Sequence, residues 1–360
     1  MDPSGFRHTV WSAHGTTPAE IERALRRTLV ESQIEHAGYA PARALNMVCV
    51  VEKRASEEIT GRLQDTGRYL ASRTIVCAVE QGRTRIDATA EISSDMAPGA
   101  GEFALLRETV RLEVGEEHLP RLESIVDPLV VTDLPTVLWS PHGYQDAVQA
   151  LLPLAQVVLL DSTDERDLRS GLNRACELLE TVYVVDLAWL RSTPWRERIA
   201  TTFDPPDLRS DLYTISAVTV RHHPESGAAG LLFVGWLASR LDWKVSSLQS
   251  RNRDLAGAAR ARGQEVDLTL VPVPEQQVRG LAGVTLETAT GRRLSLDRGP
   301  GGLRAHYTNA RGDDRRWTVL GASRGEGGIL GEGIRQALLR DPTYGPAVSA
   351  AGKLAFHEAP

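Results

Sequence analysis

Short apolar runs alternate with stretches of helical periodicity along most of this chain. Ile21, Leu25 and Leu29 recur every four residues and put one apolar stripe on a helix. Thr17-Pro18-Ala19-Glu20 supplies the start of that helix: a capping threonine, a proline in the first position and a glutamate that closes a capping box. Runs at 45–51 and 74–79 are apolar enough for buried strands, with a helical period at 57–70 between them. Segments 83–92 and 105–114 read as further strands. The pattern predicts an α+β N-terminal part over 1–124.

From Val126 the text changes. Strand-like runs at 134–139, 157–161, 183–186 and 215–220 alternate with helical periods at 145–154, 167–180, from Pro194, and at 228–241. Such alternation is the mark of a parallel sheet with crossover helices, so 125–262 is expected to be a doubly wound α/β middle domain. Leu231-Leu232-Phe233-Val234-Gly235-Trp236-Leu237 is apolar all round, which predicts a buried helix, and Gly230 and Gly235 let another backbone come close. The polar, Arg-rich stretch 246–262 reads as a connecting helix with a solvated face.

Beyond it, runs at 266–273, 283–288, 293–296, 303–307 and 316–320 are punctuated by Gly291, Gly299–Gly302 and Gly312, the spacing of an antiparallel meander. A closing helix is expected at 329–339 and a loose tail after Ser349. The expected class is α/β, with a third, antiparallel β-rich part over 263–360.

Composition adds bounds. At 360 residues, two or three domains are expected, and 42% hydrophobic with 24% charged residues is ordinary for globular chains. The formal charge of −6 argues against a general nucleic-acid binder. Lysine occurs only at Lys53, Lys244 and Lys353, every other cation being arginine, which suits bidentate contacts but also follows from coding bias. Three cysteines, Cys49, Cys77 and Cys176, are too few for a disulfide framework and are expected as free thiols; a redox pair of Cys49 and Cys77 is the minor reading. With no signal-like N-terminus and no apolar run of membrane length, a cytoplasmic location and no membrane partner are expected.

The chain offers no assembled catalytic motif. A phosphate loop would need glycines followed by Lys-Ser/Thr, and none of the three lysines stands so. The nearest glycine run, Gly325 to Gly331 with Arg324 ahead of it, has the wrong spacing for a dinucleotide fingerprint, though it could hold an anion at a helix start. His222-His223 is poor chelating geometry and reads as a solvated loop. No metal or other cofactor is expected, and no catalytic residue is assigned.

One cluster stands out, Asp186-Leu187-Ala188-Trp189-Leu190-Arg191-Ser192-Thr193-Pro194-Trp195-Arg196-Glu197-Arg198. Thr193 is placed to cap a helix whose first turn holds Pro194 and whose buried stripe is Trp195, Ile199 and Phe203. Arg191, Arg196 and Arg198 crowd the helix start, where free amides favour anions. Three readings stay open: a structural tie among Asp186, the arginines and packed Trp189 and Trp195; a protein interface anchored by Trp and Arg; or a sugar-phosphate pocket.

Here the chain resembles the OpcA family, the glucose-6-phosphate dehydrogenase assembly proteins. The resemblance rests on 186–196 (DLAWLRSTPWR), on Ser124-Ile125-Val126-Asp127-Pro128-Leu129-Val130-Val131-Thr132-Asp133-Leu134-Pro135 followed by Val137-Leu138-Trp139, and on the 231–241 stretch with Gly235, Trp236 and Arg240. Two departures stand out: Trp139-Ser140-Pro141 where members commonly carry two tryptophans before the proline, and Gln156 with an apolar run where an Arg pair is usual. The resemblance implies a non-catalytic assembly or allosteric partner of glucose-6-phosphate dehydrogenase, with the Trp/Arg strip as a docking face. The alternative is a sugar-phosphate-binding enzyme or sensor using the Arg-rich helix start.

Overall fold

A computed structural model of the chain describes residues 8–35, 39–40, 43–66, 72–94, 104–165, 167–320 and 326–355. The chain forms two compact units, Met1–Leu160 with Val182–Val185, and Asp161–Thr181 with Asp186–Pro360.

The first unit contains β1 (His8–Ala13), α1 (Pro18–Glu35), β2 (Tyr39–Ala40), β3 (Leu45–Glu52), α2 (Ser56–Thr66), β4 (Ser72–Val79), β5 (Asp87–Ser94), β6 (Ala104–Val114), α3 (Leu122–Val126), β7 (Thr136–Trp139), α4 (Gln145–Leu151), β8 (Val157–Leu160) and β9 (Tyr183–Asp186, whose last residue belongs to the second unit). Glu20 takes hydrogen bonds from the Thr17 amide and hydroxyl, so the expected capping box opens α1. The sheet runs β1-β5-β6-β4-β3-β7-β8-β9, with β2 on β6. Strands β6, β4, β3, β7 and β8 are mutually parallel. This order reverses direction between β3 and β7, the arrangement of a doubly wound sheet.

The class is therefore α/β as expected, but its partition differs from the three-part reading. Strands β7, β8 and most of β9, assigned from sequence to a separate middle domain, extend the N-terminal sheet. Asn46 shows how the join is made. It is fully buried; its amide donates to the carbonyls of Val131 and Leu134 and to Thr136 Oγ1, while its Oδ1 accepts from Val131 N. Together with Asn46 N donating to Pro135 O at 2.8 Å, these bonds pin the 131–136 stretch beside β3. A buried amide with every group paired is stable there, and unpaired it is not. Gln156, at the departure from the family pattern, is used similarly: its Oε1 accepts from Thr136 N at 2.6 Å. Trp139 is buried and Asp133 exposed.

Cys49 and Cys77 sit fully buried on β3 and β4. The register sets Cys49 opposite Val76 and Cys77 opposite Val50, so the two thiols face opposite sides of the sheet and form no redox pair. Burial raises both thiols, Cys77 to about 12. Thiol titration of the native chain should modify half-buried Cys176 first, with Cys49 and Cys77 reacting only on unfolding; three equally fast thiols would contradict this packing.

The second unit contains α5 (Leu168–Leu179), α6 (Leu187–Arg191), α7 (Thr193–Phe203), α8 (Pro206–Arg209), β10 (Ile215–His222), α9 (Gly227–Leu241), β11 (Lys244–Val245), β12 (Gln249–Arg251), β13 (Asp254–Ala261), β14 (Gln264–Pro272), β15 (Leu281–Thr288), β16 (Arg293–Gly299), β17 (Gly302–Thr308), β18 (Asp314–Leu320), α10 (Glu326–Gln336) and α11 (Tyr344–Leu354). Its sheet runs β11-β13-β14-β10-β15-β16-β17-β18 with β12 on β13. Among the described residues of this sheet only β10 and β14 pair in parallel; the meander β15 to β18 is antiparallel, as its alternation implied.

Two expectations are corrected here. The 246–262 stretch is strand rather than helix: Asn252 at φ 60° turns β12 into β13, and β13 is held between β14 and the short strands β11 and β12. The stretch expected to be loose after Ser349 is helical as far as Leu354: α11 buries Ala347, Val348, Ala351 and Leu354 completely. It packs on α9, where a Cβ at Gly235 would run into the carbonyl oxygen of Ala347. The close backbone approach expected of Gly235 is thus made by α11, whereas Gly230 faces side chains, those of Leu270 and His222. Beside it on α9, Trp236 is half-buried against Phe233 with ring centroids 5.6 Å apart, and Arg240 is exposed.

Candidate functional site

The Trp/Arg cluster lies wholly in the second unit, at the entry to α6 and α7. Asp186 is 1% exposed. Its Oδ1 accepts from Ala188 N at 2.9 Å, which caps α6, and from Ser162 N at 3.1 Å. Its Oδ2 accepts from Ser162 Oγ at 2.7 Å and from the Tyr344 hydroxyl at 3.0 Å. Burial, reinforced by the nearby Asp161 charge, raises the Asp186 carboxyl to about 6. Tyr344 opens α11, so this one carboxylate ties three separate stretches of chain.

Trp189 continues the tie. Its Nε1 donates to Asp341 Oδ2 at 2.9 Å, and its ring lies 5.6 Å from that of Tyr344. Asp341 in turn accepts from Thr343 N and Oγ1 ahead of α11. The Arg196 guanidinium stacks on Trp189 at 3.4 Å and donates to Trp189 O, Ser192 Oγ and Thr193 Oγ1. Burial pushes Arg196 down to about 10. Arg191 is buried and paired with Asp161 at 2.6 Å. Trp195, Ile199 and Phe203 form the expected buried stripe at 1%, 1% and 2% exposure.

These positions revise the reading of the strip as a docking face. Trp189, Arg191, Trp195 and Arg196 are spent inside the unit, and the arginines do not converge on open space at the start of α7. A structural tie is what they make. Thr193 is also corrected: it is the first residue of α7 and makes no capping bond, its hydroxyl accepting instead from Arg196. Pro194 occupies the first turn as expected. Arg198 differs from the others. It is half-buried, its Nε is shielded from solvent, and its guanidinium finds no partner among the described residues. Sequence reasoning missed Ser162, Asp341 and Tyr344, which carry no motif and meet Asp186 or Trp189 only through the fold.

A cavity of about 1250 Å³ in the same unit is lined by Ser162, Asp164, Asp167, His222, Arg253 and Arg279 among others. Within it Arg279 pairs with Asp164 at 2.9 Å and with Glu225 at 3.7 Å. His222 is not in a solvated loop: it is 5% exposed, its Nδ1 lies 2.7 Å from His223 O, and burial lowers its pKa. Arg324 and Gly325 fall outside the described residues.

In the first unit, the crevice beside the β3–β7 reversal is where a doubly wound sheet places a nucleotide. The turn there is Glu52-Lys53-Arg54-Ala55, without glycine, and α2 opens with Glu57 and Glu58. The turn thus lacks the glycines through which a backbone approaches a pyrophosphate, and two carboxylates at the helix start repel it. Glu52 N donates to His142 Nδ1 at 3.1 Å, closing the turn on Trp139-Ser140-Pro141-His142.

Comparison with known families places this geometry. Residues 64–177 match the family model described as the glucose-6-phosphate dehydrogenase subunit N-terminal domain, and 182–348 match that of the C-terminal domain, the two OpcA models in the expected order. The chain belongs to the OpcA family. It is 33% identical over 151 residues to an OxPP cycle protein OpcA of Nostoc punctiforme and 30% identical over 140 residues to one of Synechocystis. Those segments are 41% and 38% of this chain, and 32% and 30% of the relatives, so the match spans about a third of their length. Among solved structures, the WlbA dehydrogenase of Thermus thermophilus is similar at a TM-score of 0.44 and 12% identity, covering 87% of this chain and 97% of that one, a likeness too loose to bear on the chemistry of this OpcA family member. The family models leave 178–181 between them, from the end of α5 toward β9; Asp186, Trp189, Arg196 and Tyr344 fall in the C-terminal model and their partner Ser162 in the N-terminal one.

Proposed function

We propose that this chain docks on glucose-6-phosphate dehydrogenase, favours its active oligomer, and turns over no metabolite of its own. The observation that carries this reading is the pair of consecutive family matches, 64–177 and 182–348, both described by that dehydrogenase. The site geometry supports the non-catalytic part: the acceptor positions of Asp186 are filled by four internal donors, which leaves it poorly suited to general acid or base work. A binding partner changes an enzyme only by preferring one of its states, so the effect belongs in subunit association or substrate KM.

Arg198 is the cluster residue best placed to meet a partner, being partly exposed and unpaired. Substituting the buried Arg196 would test packing instead, since it stacks on Trp189. With the purified dehydrogenase of the same cell, the chain is expected to co-elute in size-exclusion chromatography and to activate dilute enzyme. Arg198→Glu should weaken that association roughly tenfold while leaving thermal stability nearly unchanged. Failure of the wild-type chain to co-elute sinks the reading, and so does turnover of any metabolite by the chain alone. If Arg198→Glu binds as wild type, the face lies elsewhere.

A further inference from the structure

The solvent face of the second unit's meander carries two adjacent cross-strand rows. Registered pairs align Arg221, Gly283, Asp297, Arg304 and Thr318 in one row, and Thr219, Thr285, Ser295, His306 and Arg316 in the next. Both rows share one side of the sheet, and Arg221, Asp297, Arg304 and Thr318 of the first with His306 and Arg316 of the second line a common depression. That depression has a volume of about 740 Å³, and its lining includes Arg221, Arg298, Arg304, Arg316 and a single carboxylate, Asp297.

Two glycines create it. The Arg221 guanidinium lies flat over Gly283, where any Cβ would collide with it, and donates to Asp297 Oδ1 at 2.8 Å. Arg304 lies over Gly299, where a Cβ would stand 2.8 Å from its Nε. Its guanidinium meets no carboxylate among the described residues. Arg298 comes from the opposite side and donates to Leu281 O at 3.1 and 2.9 Å. Arg316 and His306 share Asp314, at 3.7 and 3.1 Å. An excess of guanidinium charge is thus held on a rigid sheet, in a chain whose formal charge is −6. Planar guanidinium groups fixed in this way suit the oxygens of a phosphate, and Gln276, Thr318 and Trp317 line the remainder with hydrogen-bonding groups and one apolar surface. The volume falls within the range of small-ligand pockets.

We propose that this Arg304-centred depression binds a small phosphate-bearing, hydroxyl-rich anion. The depression shares no lining residue with the Asp186 tie, although its Arg298 reaches within 5.9 Å of the Trp195 ring, and phosphate binding there does not depend on association with the dehydrogenase.

Isothermal titration of the full chain at low ionic strength tests it, with inorganic phosphate, glucose 6-phosphate and glucose as probes. Both phosphates are expected to bind saturably, glucose 6-phosphate the tighter, with glucose silent and binding weakened by added salt. Arg304→Gln should weaken both phosphates at least roughly tenfold, as should Gly299→Ala by displacing that guanidinium. Arg253→Gln, at the exposed hairpin beside the larger cavity, should change nothing. Absence of phosphate binding overturns the proposal. So does glucose binding as well as its phosphate, or a loss that follows Arg253→Gln and spares Arg304→Gln.

Discussion

Asp186→Ala is expected to destabilise the second unit by about 4 kcal/mol, because it strands the amides of Ser162 and Ala188 and the hydroxyls of Ser162 and Tyr344 together. For a unit of this size that is roughly 10 °C in the unfolding midpoint. Asp186→Asn costs less, since its Oδ1 still accepts both amide donors and the hydroxyls can rotate. The sign of the pH dependence follows from the raised carboxyl. A group at about 6 when folded, against an ordinary value near 3.9 when unfolded, holds its proton more tightly in the native state. Its ionisation therefore removes stability as pH rises from about 4 through 6, with the loss complete above that range. The gap between wild type and Asp186→Asn should narrow from pH 5 to pH 8 in calorimetric melts. A gap that widens over that range would show that the carboxylate is welcomed as an anion and that burial does not dominate.

Gly235→Ala is expected to cost about 3 kcal/mol, an unusually large loss for one added methyl group. The new Cβ would meet the Ala347 carbonyl oxygen and stand 2.9 Å from Ala351 N, both main-chain atoms of α11 that cannot swing away as a side-chain tip can. The helices must separate instead. Gly327→Ala is the control, since open space surrounds that position. Equal midpoints for the two variants would mean that α11 does not hold the position described.

Local pattern was legible wherever one stretch decides its own structure. The stripe of Trp195, Ile199 and Phe203 follows from spacing alone, and the meander strands fall within a few residues of their alternation. Pairing was not legible, because periodicity says which face is apolar and nothing about which neighbour covers it. Strand β7 joins β3 through Asn46, an isolated polar residue with no motif around it. The 256–259 stretch, Ala-Gly-Ala-Ala, has little strand propensity and becomes β13 because strands on both sides supply its hydrogen bonds. The turn signals at Asn252 and Arg262-Gly263, with φ of 60°, 49° and 84°, were present and would have found that hairpin. So was the spacing of Tyr344, Ala347, Val348, Ala351 and Leu354, which Gly345, Pro346 and Gly352 disguised. The cluster itself shows a different limit. Tryptophan and arginine anchor interfaces and interiors alike, so residue type named the important stretch and only burial told which role it fills.

The packing of α11 on α9 also orders events during synthesis. Helix α9 ends at Leu241 and its covering helix begins at Tyr344, about a hundred residues later. At translation rates of 5–20 residues per second, the emerging chain displays the wholly apolar Leu231-Leu232-Phe233-Val234 helix for roughly 5–20 seconds before its lid has been made. Throughout that interval the nascent second unit is a natural client for chaperones, and a ribosome stalled anywhere short of α11 leaves a product with a greasy seam open to its neighbours.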